Sequence, residues 1–174
     1  MSADSAAAAR LDGVRRAAAT VVDPEIPVLT IADLGILRDV RLAADGQVVV
    51  SITPTYSGCP AMHVIREEIV AAVAQAGFGP VVVETVLSPA WTTDWMTEHG
   101  RQQLKDYGIA PPAPVPAAGP DGAAPLMFFR TAPVTCPRCG ATATTELAAF
   151  GSTACKSLWR CERCREPFDY FKTH

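Results

Sequence analysis

The sequence predicts an α+β chain: a small α-β-β-α-β domain followed by a zinc-ribbon-like domain. Three observations predict it. Helical and strand periodicities alternate over residues 1–108. A tract reading IAPPAPVPAAGPDGAAP then fills 109–125. Residues 126–174 hold five of the six cysteines, four of them as two CxxC pairs.

Each element has its own signal. Residues 4–20 are Ala-rich, with Leu11, Val14 and Ala18 at helical spacing. Asp23-Pro24-Glu25-Ile26-Pro27 breaks that helix, because two prolines exclude a regular one. Residues 36–42 alternate as a strand, Asp45-Gly46 marks a hairpin, and residues 47–53 form its partner. A loop over Thr53–Gly58 leads to Cys59-Pro60. Met62, Ile65, Ile69, Val73 and Ala76 then mark one helix face, which stops at Gly77. Residues 81–87 read as a strand and 92–106 as a closing helix, with the helices packed on one face of a short sheet. The prolines of 109–125 cannot donate backbone hydrogen bonds and favour extended geometry, so this tract reads as a semi-rigid linker between domains 1–108 and 126–174; the alternative is a tract docked along one domain.

Cys136-Pro-Arg-Cys139 and Cys161-Glu-Arg-Cys164 are separated by 21 residues. Each pair puts two thiolates on one tight turn, and two such turns facing each other supply the four sulfurs of a tetrahedral zinc site. Strand-like segments around them complete a zinc ribbon in outline. So short a segment buries little core, and the metal would supply much of its stability. All-thiolate sites also hold iron, and disulfides are disfavoured in the cytoplasm. Cys155 lies outside both pairs. It is either an ordinary thiol or a reactive, metal-transferring one, with Lys156 beside it favouring the thiolate.

Cys59 is the lone cysteine of the first domain. Pro60 suits a first helical position, which places Cys59 at or near the N-cap, where the helix dipole and unpaired amides lower a thiol's pKa. It is an ordinary buried cysteine or a thiolate for a metal or an electrophile. Asp23 and Glu25 lie on the preceding Pro-rich turn, within conceivable reach. His63 follows at helix-face spacing.

Charge and absences exclude several classes. A net charge of -3 argues against a whole-surface nucleic-acid binder. The charge is divided: residues 1–126 carry 8 basic and 14 acidic groups, residues 127–174 carry 7 and 4. No apolar run approaches ~18 residues, so no transmembrane helix is expected. The N-terminal stretch lacks the apolar core of a signal peptide, and a cytoplasmic location is expected. The chain has no Glu-x-x-His pair, Walker loop or dinucleotide fingerprint; nothing in it specifies a turnover reaction, and it is not expected to be catalytic itself.

Asp23-Pro24-Glu25, Asp33-Leu34-Gly35, Thr53-Pro54-Thr55 with Cys59-Pro60, and Trp91-Thr92-Thr93-Asp94-Trp95-Met96 occur in this order. With them the first domain resembles the iron–sulfur assembly family that includes SufT-like proteins and the cytosolic iron–sulfur targeting factor. The segment from Ser88 to Pro112 and the ribbon ending ACKSLWRCERCREPFDYFK resemble the PaaD-type subunits of phenylacetyl-CoA epoxidase over essentially the whole chain. The resemblance implies an accessory, maturation role in aerobic phenylacetate degradation. The partners it implies are the di-iron oxygenase core and the iron–sulfur flavin reductase of that system. It implies a functional centre at Cys59 with Asp23 and Glu25, zinc at Cys136, Cys139, Cys161 and Cys164, and leaves open a transient iron or iron–sulfur cluster at Cys59. A homodimer with paired Cys59 sites would bring together enough ligands for a bridging cluster.

Overall fold

The computed structural model describes residues 3–56, 58–113 and 133–173. Two compact units divide between Gly100 and Arg101.

The first unit opens with helix α1 (Ala3–Ala19), which buries Val14 and Ala18. Strands β1 (Leu37–Leu42) and β2 (Val48–Ile52) form an antiparallel hairpin closed at Asp45-Gly46, where Gly46 has φ 82°. Helix α2 (Ala61–Gln75) turns its Ala61, Ile65, Ile69 and Val73 stripe inward. It ends as expected: Gly77 takes φ 81° and the Phe78 amide reaches back to the Val73 carbonyl at 3.2 Å. Strand β3 (Val81–Thr85) then pairs parallel to β2, giving the order β1-β2-β3. Central β2 is buried along its whole length, and α1 and α2 pack on each other and on the sheet. On the sheet face that carries Ser51, the Arg41 guanidinium reaches both Glu84 oxygens at 3.0 Å, and Ser51 donates to Glu84 at 2.6 Å. The free edge of β3 is covered in part by Arg66 of α2, which donates to the Val83 carbonyl at 3.0 Å.

The closing helix expected over 92–106 is two pieces. A 3-10 turn spans Thr93–Trp95, Met96 is extended (ψ 137°), and α3 spans Glu98–Tyr107. The reason is local. Thr92 and Thr97 are both capping residues, accepting from the Asp94 and Gly100 amides at 3.3 and 2.9 Å. The segment therefore starts a helix twice.

The second unit holds a four-stranded sheet, order β4-β7-β6-β5, from β4 (Ile109–Ala110), β5 (Thr144–Ala148), β6 (Lys156–Cys161) and β7 (Pro167–Phe171). The β5/β6 and β6/β7 pairs are antiparallel; β4 joins β7 in parallel. Ile109 and Ala110, read from sequence as the start of a linker, are thus an edge strand of this sheet. Ala113 extends the attachment, accepting from Thr173 at 3.4 Å. The rest of the tract, 114–125, lies outside the described residues. The ribbon core gathers Ala110, Val134, Trp159 and Phe168 around Cys136 and Cys161, and Tyr170 meets Trp159 edge-on at 6.0 Å.

Candidate functional site

The two CxxC turns are near copies of each other. In the first, the Gly140 amide donates to the Cys136 carbonyl at 2.9 Å, and the Cys136 amide to the Ala141 carbonyl at 2.9 Å. In the second, Arg165 donates to Cys161 at 3.0 Å and Cys161 to Glu166 at 3.0 Å. Both turns place the residue after the second cysteine in the left-handed region, Gly140 at φ 72° and Arg165 at φ 64°. Arg165 bears a steric cost there that glycine would not. Its ion pair with Glu162 at 3.0 Å is 71% exposed on the arginine side and offsets little. Arg165→Gly is therefore expected to stabilise the ribbon by about 1 kcal/mol, read as a higher melting temperature of the metal-loaded chain. An unchanged or lower value would show that the pair outweighs the backbone strain.

The four sulfurs lie within 4.8 Å of one another, with Cys136 and Cys164 at 3.8 Å and Cys139 and Cys161 at 3.5 Å. A tetrahedral ion with Zn–S bonds of ~2.3 Å needs S···S edges of about 3.8 Å. The residues fit a metal of this kind, and the sequence-assigned ligands are all brought together. The chemistry of the set agrees. The Cys164 amide, then that of Arg163, favours the Cys161 thiolate and holds that thiol down at about 6 against the cost of burial. At Cys164 the Glu166 amide acts the same way, but burial and the three neighbouring sulfurs outweigh it and push the thiol up to about 12.

Cys155 stands outside that set. It is 4% exposed, with its sulfur 3.0 Å from the Thr153 hydroxyl. Lys156, expected to favour its thiolate, is itself buried, with its ammonium 3.8 Å from Asp169. The buried-thiol alternative matches this placement.

In the first unit, the motif residues serve mostly to hold loops. Asp33 accepts from the Thr30 hydroxyl and amide at 2.7 and 3.2 Å, and from Thr97 at 2.9 Å; His99 lies at 3.0 Å. Burial raises its pKa, but these hydrogen bonds together hold its carboxyl below the ordinary value. Trp91 donates to the Leu34 carbonyl at 2.9 Å. Strand β1 bulges at Arg38, whose guanidinium sits 3.3 Å over the Trp95 ring. Asp33-Leu34-Gly35 is thereby clamped to the Trp91–Met96 segment.

Cys59 precedes α2. Pro60, not Cys59, is the N-cap residue, and it offers no side-chain cap. The half-buried Cys59 sulfur is instead hydrogen-bonded by the Ala61 amide and by the Tyr56 side chain. Contrary to the expectation from its helix-start position, its thiol is pushed up. Burial is the largest cause, and the Glu25 and Asp23 carboxylates add to it, outweighing the Ala61 amide. The structure thus brings Asp23 and Glu25 within electrostatic range of Cys59. Asp23 is buried and also ties down its own turn, accepting from the Glu25 and Ile26 amides at 2.8 and 2.9 Å. Tyr56 is a member of the site that sequence reasoning missed; its place three residues before Cys59 was the available signal. His63 is 81% exposed and pairs with Glu67 at 3.3 Å.

Comparison with known proteins matches each unit separately. Residues 11–86 match the family described as iron-sulfur cluster assembly protein, and residues 123–172 match the PaaD zinc beta ribbon domain. A structure of a DUF59 domain of unknown function from Bacillus anthracis aligns with a TM-score of 0.53 at 22% identity, covering 58% of this chain and 96% of that one; it shows the fold. An Fe-S protein maturation auxiliary factor from Porphyromonas gingivalis is 38% identical over 49% of this chain and 81% of its own length. The class defined is therefore an iron–sulfur-assembly unit followed by a zinc ribbon. The putative D subunit of 1,2-phenylacetyl-CoA epoxidase from Escherichia coli is 52% identical over 87% of this chain and 86% of its own length. The chain belongs to the family of that epoxidase component. Among the described residues, no helix is long and apolar enough to cross a membrane.

Proposed function

We propose that this chain is a cytoplasmic accessory subunit of a phenylacetyl-CoA epoxidase system that assists iron or iron–sulfur cluster assembly in the oxygenase core or its reductase. Cys59 is the functional thiol, with Asp23 and Glu25 as the acidic groups beside it. Zinc at Cys136, Cys139, Cys161 and Cys164 organises the ribbon, which carries no transfer chemistry of its own. The observation that carries this reading is the thiol–carboxylate grouping at the start of α2 in a unit of the iron–sulfur assembly family. A thiol held protonated by burial, with nearby carboxylates adding to it, is a poor nucleophile at neutral pH. An arriving iron cation reverses that balance, because it is attracted by both carboxylates and displaces the thiol proton. Such a site takes metal in preference to reacting with an electrophile.

The test is the iron content of the oxygenase core and of the reductase, each purified from cells carrying the natural chain or Cys59→Ala. We expect one of the two to come out iron-poor by severalfold with Cys59→Ala while the variant itself remains folded. Full metallation of both would overturn the reading. A second reading, a docking component that moves no metal, is favoured by the role of Asp33, Leu34, Gly35 and Trp91 in holding loops. It predicts a stable stoichiometric complex with the core and a silent Cys59→Ala.

A further inference from the structure

The two cysteine turns match in backbone but differ in their surroundings. At the second turn Glu162 is bracketed by Arg160 and Arg165, each at 3.0 Å. The positions of the first turn that correspond to Glu162 and Arg165 are Pro137 and Gly140, which place no charged side chain there. A cleft of about 500 Å³ opens at this first turn, reaching Cys136 and Cys139, with Lys105 and Arg138 in its wall. Among the described residues, neither cation has a hydrogen-bond or ion-pair partner and no acidic residue lines the cleft. Cys139 and Cys164 are half-buried and Cys136 and Cys161 are buried, and of the two half-buried cysteines it is Cys139 that lines the cleft.

A divalent ion held by four thiolates leaves a net charge of about -2 on the centre. Such a centre repels an approaching anion unless cations line the approach. Two cations without partners, in the wall of the cleft that reaches the half-buried Cys139, provide that. We propose that this cleft receives carboxylate groups at the open face of the ribbon's metal site, so that carboxylate ligands reach the metal past Cys139, guided by Lys105 and Arg138. The proposal rests on the four cysteines holding a metal ion. The carboxylates come from a small polycarboxylate or from acidic side chains of a partner protein.

The experiment uses the full chain loaded with zinc, its stoichiometry measured first; a chain holding no zinc overturns the metal reading and this proposal with it. Zinc release is then timed with EDTA, whose carboxylates are anionic, and with neutral 1,10-phenanthroline. In the Lys105→Gln/Arg138→Gln double variant, release by EDTA is expected to slow about five- to tenfold at low salt, with release by phenanthroline unchanged. The difference is expected to vanish at about 0.5 M salt, where the Debye length falls to a few ångströms. Both side chains are exposed, so the fold is expected to be kept. An unaltered EDTA rate overturns the proposal, and so does equal slowing with both chelators, which would report a tighter ribbon. Citrate and a tetraglutamate peptide as competitors of EDTA separate the two sources: competition by citrate alone assigns a small polycarboxylate, and competition by the peptide assigns a partner's acidic segment. Failure of both to compete overturns the proposal.

Discussion

Removing zinc from the ribbon is expected to unfold the second unit and leave the first intact. Among the described residues, the ribbon buries few large side chains, chiefly Trp159, Phe168 and Phe171, and cysteines sit at the centre of its core. A segment of this size gains only a few kcal/mol from its core, whereas a structural zinc supplies about 10–16 kcal/mol of apparent binding free energy. Without metal, burial and the three neighbouring sulfurs hold the Cys164 thiol protonated. Cys164, pushed up to about 12, loses its proton to solvent at neutral pH only when the metal displaces it. Protons therefore compete with zinc, and affinity falls as pH drops. Chelation, or Cys161→Ser, is expected to collapse the amide signals of 133–173 while those of α1 to β3 keep their positions in a two-dimensional NMR spectrum. A chelated ribbon that kept its dispersed signals would show that the metal is not what holds the fold.

The ribbon was legible because its chemistry is written in spacing. Two CxxC turns can present four sulfurs in few ways, and all four ligands fall where the spacing puts them. Cys59 was legible as a position but not as a chemistry. Its place beside Pro60 implied a lowered thiol, because a helix start is positive. The outcome is set by partial burial and by carboxylates more than 30 positions earlier in the chain, and no local pattern encodes those. The surroundings of Cys155 were hidden for a related reason: the neighbouring Lys156 reads as its partner in sequence, but the fold sets that ammonium 3.8 Å from Asp169.

Among the described residues, periodicity found every α-helix and the three strands of the first unit, and the strand-like segments around the CxxC pairs stood for β5, β6 and β7. The seventh, β4, was hidden in a proline tract. Two residues are too few for a strand pattern, and their pairing partner lies about 60 positions downstream. The split of the closing helix was hidden by the opposite effect. Residues 92–106 carry an even helical pattern, and only the capping roles of Thr92 and Thr97 divide it. The Asp33-Leu34-Gly35 motif was visible from the start, but what it does was not. Its partners Thr97 and His99 are more than 60 positions away and become neighbours only on folding.

That clamp makes Gly35→Ala the most damaging single methyl expected in the first unit. Gly35 has φ 69°, in the left-handed region, which costs a side chain about 1–2 kcal/mol. A Cβ there would also lie 2.5 Å from the Trp95 carbonyl oxygen and 2.6 Å from the Trp95 Cβ. The first obstacle is backbone, so relief requires the Thr93–Trp95 turn to move, and with it the Arg38 contact over the Trp95 ring. Crowding of this kind adds about 1–3 kcal/mol. The sum is about 3 kcal/mol, or roughly 12–24 °C in the melting temperature of a unit this size. Gly46→Ala separates the two causes. Gly46 has φ 82° with nothing within 4 Å of an added Cβ, so it reports the backbone cost alone, about 1 kcal/mol. If the two variants melt together, the close approach of Gly35 to Trp95 contributes nothing, and the clamp is held by Asp33 and Trp91 alone.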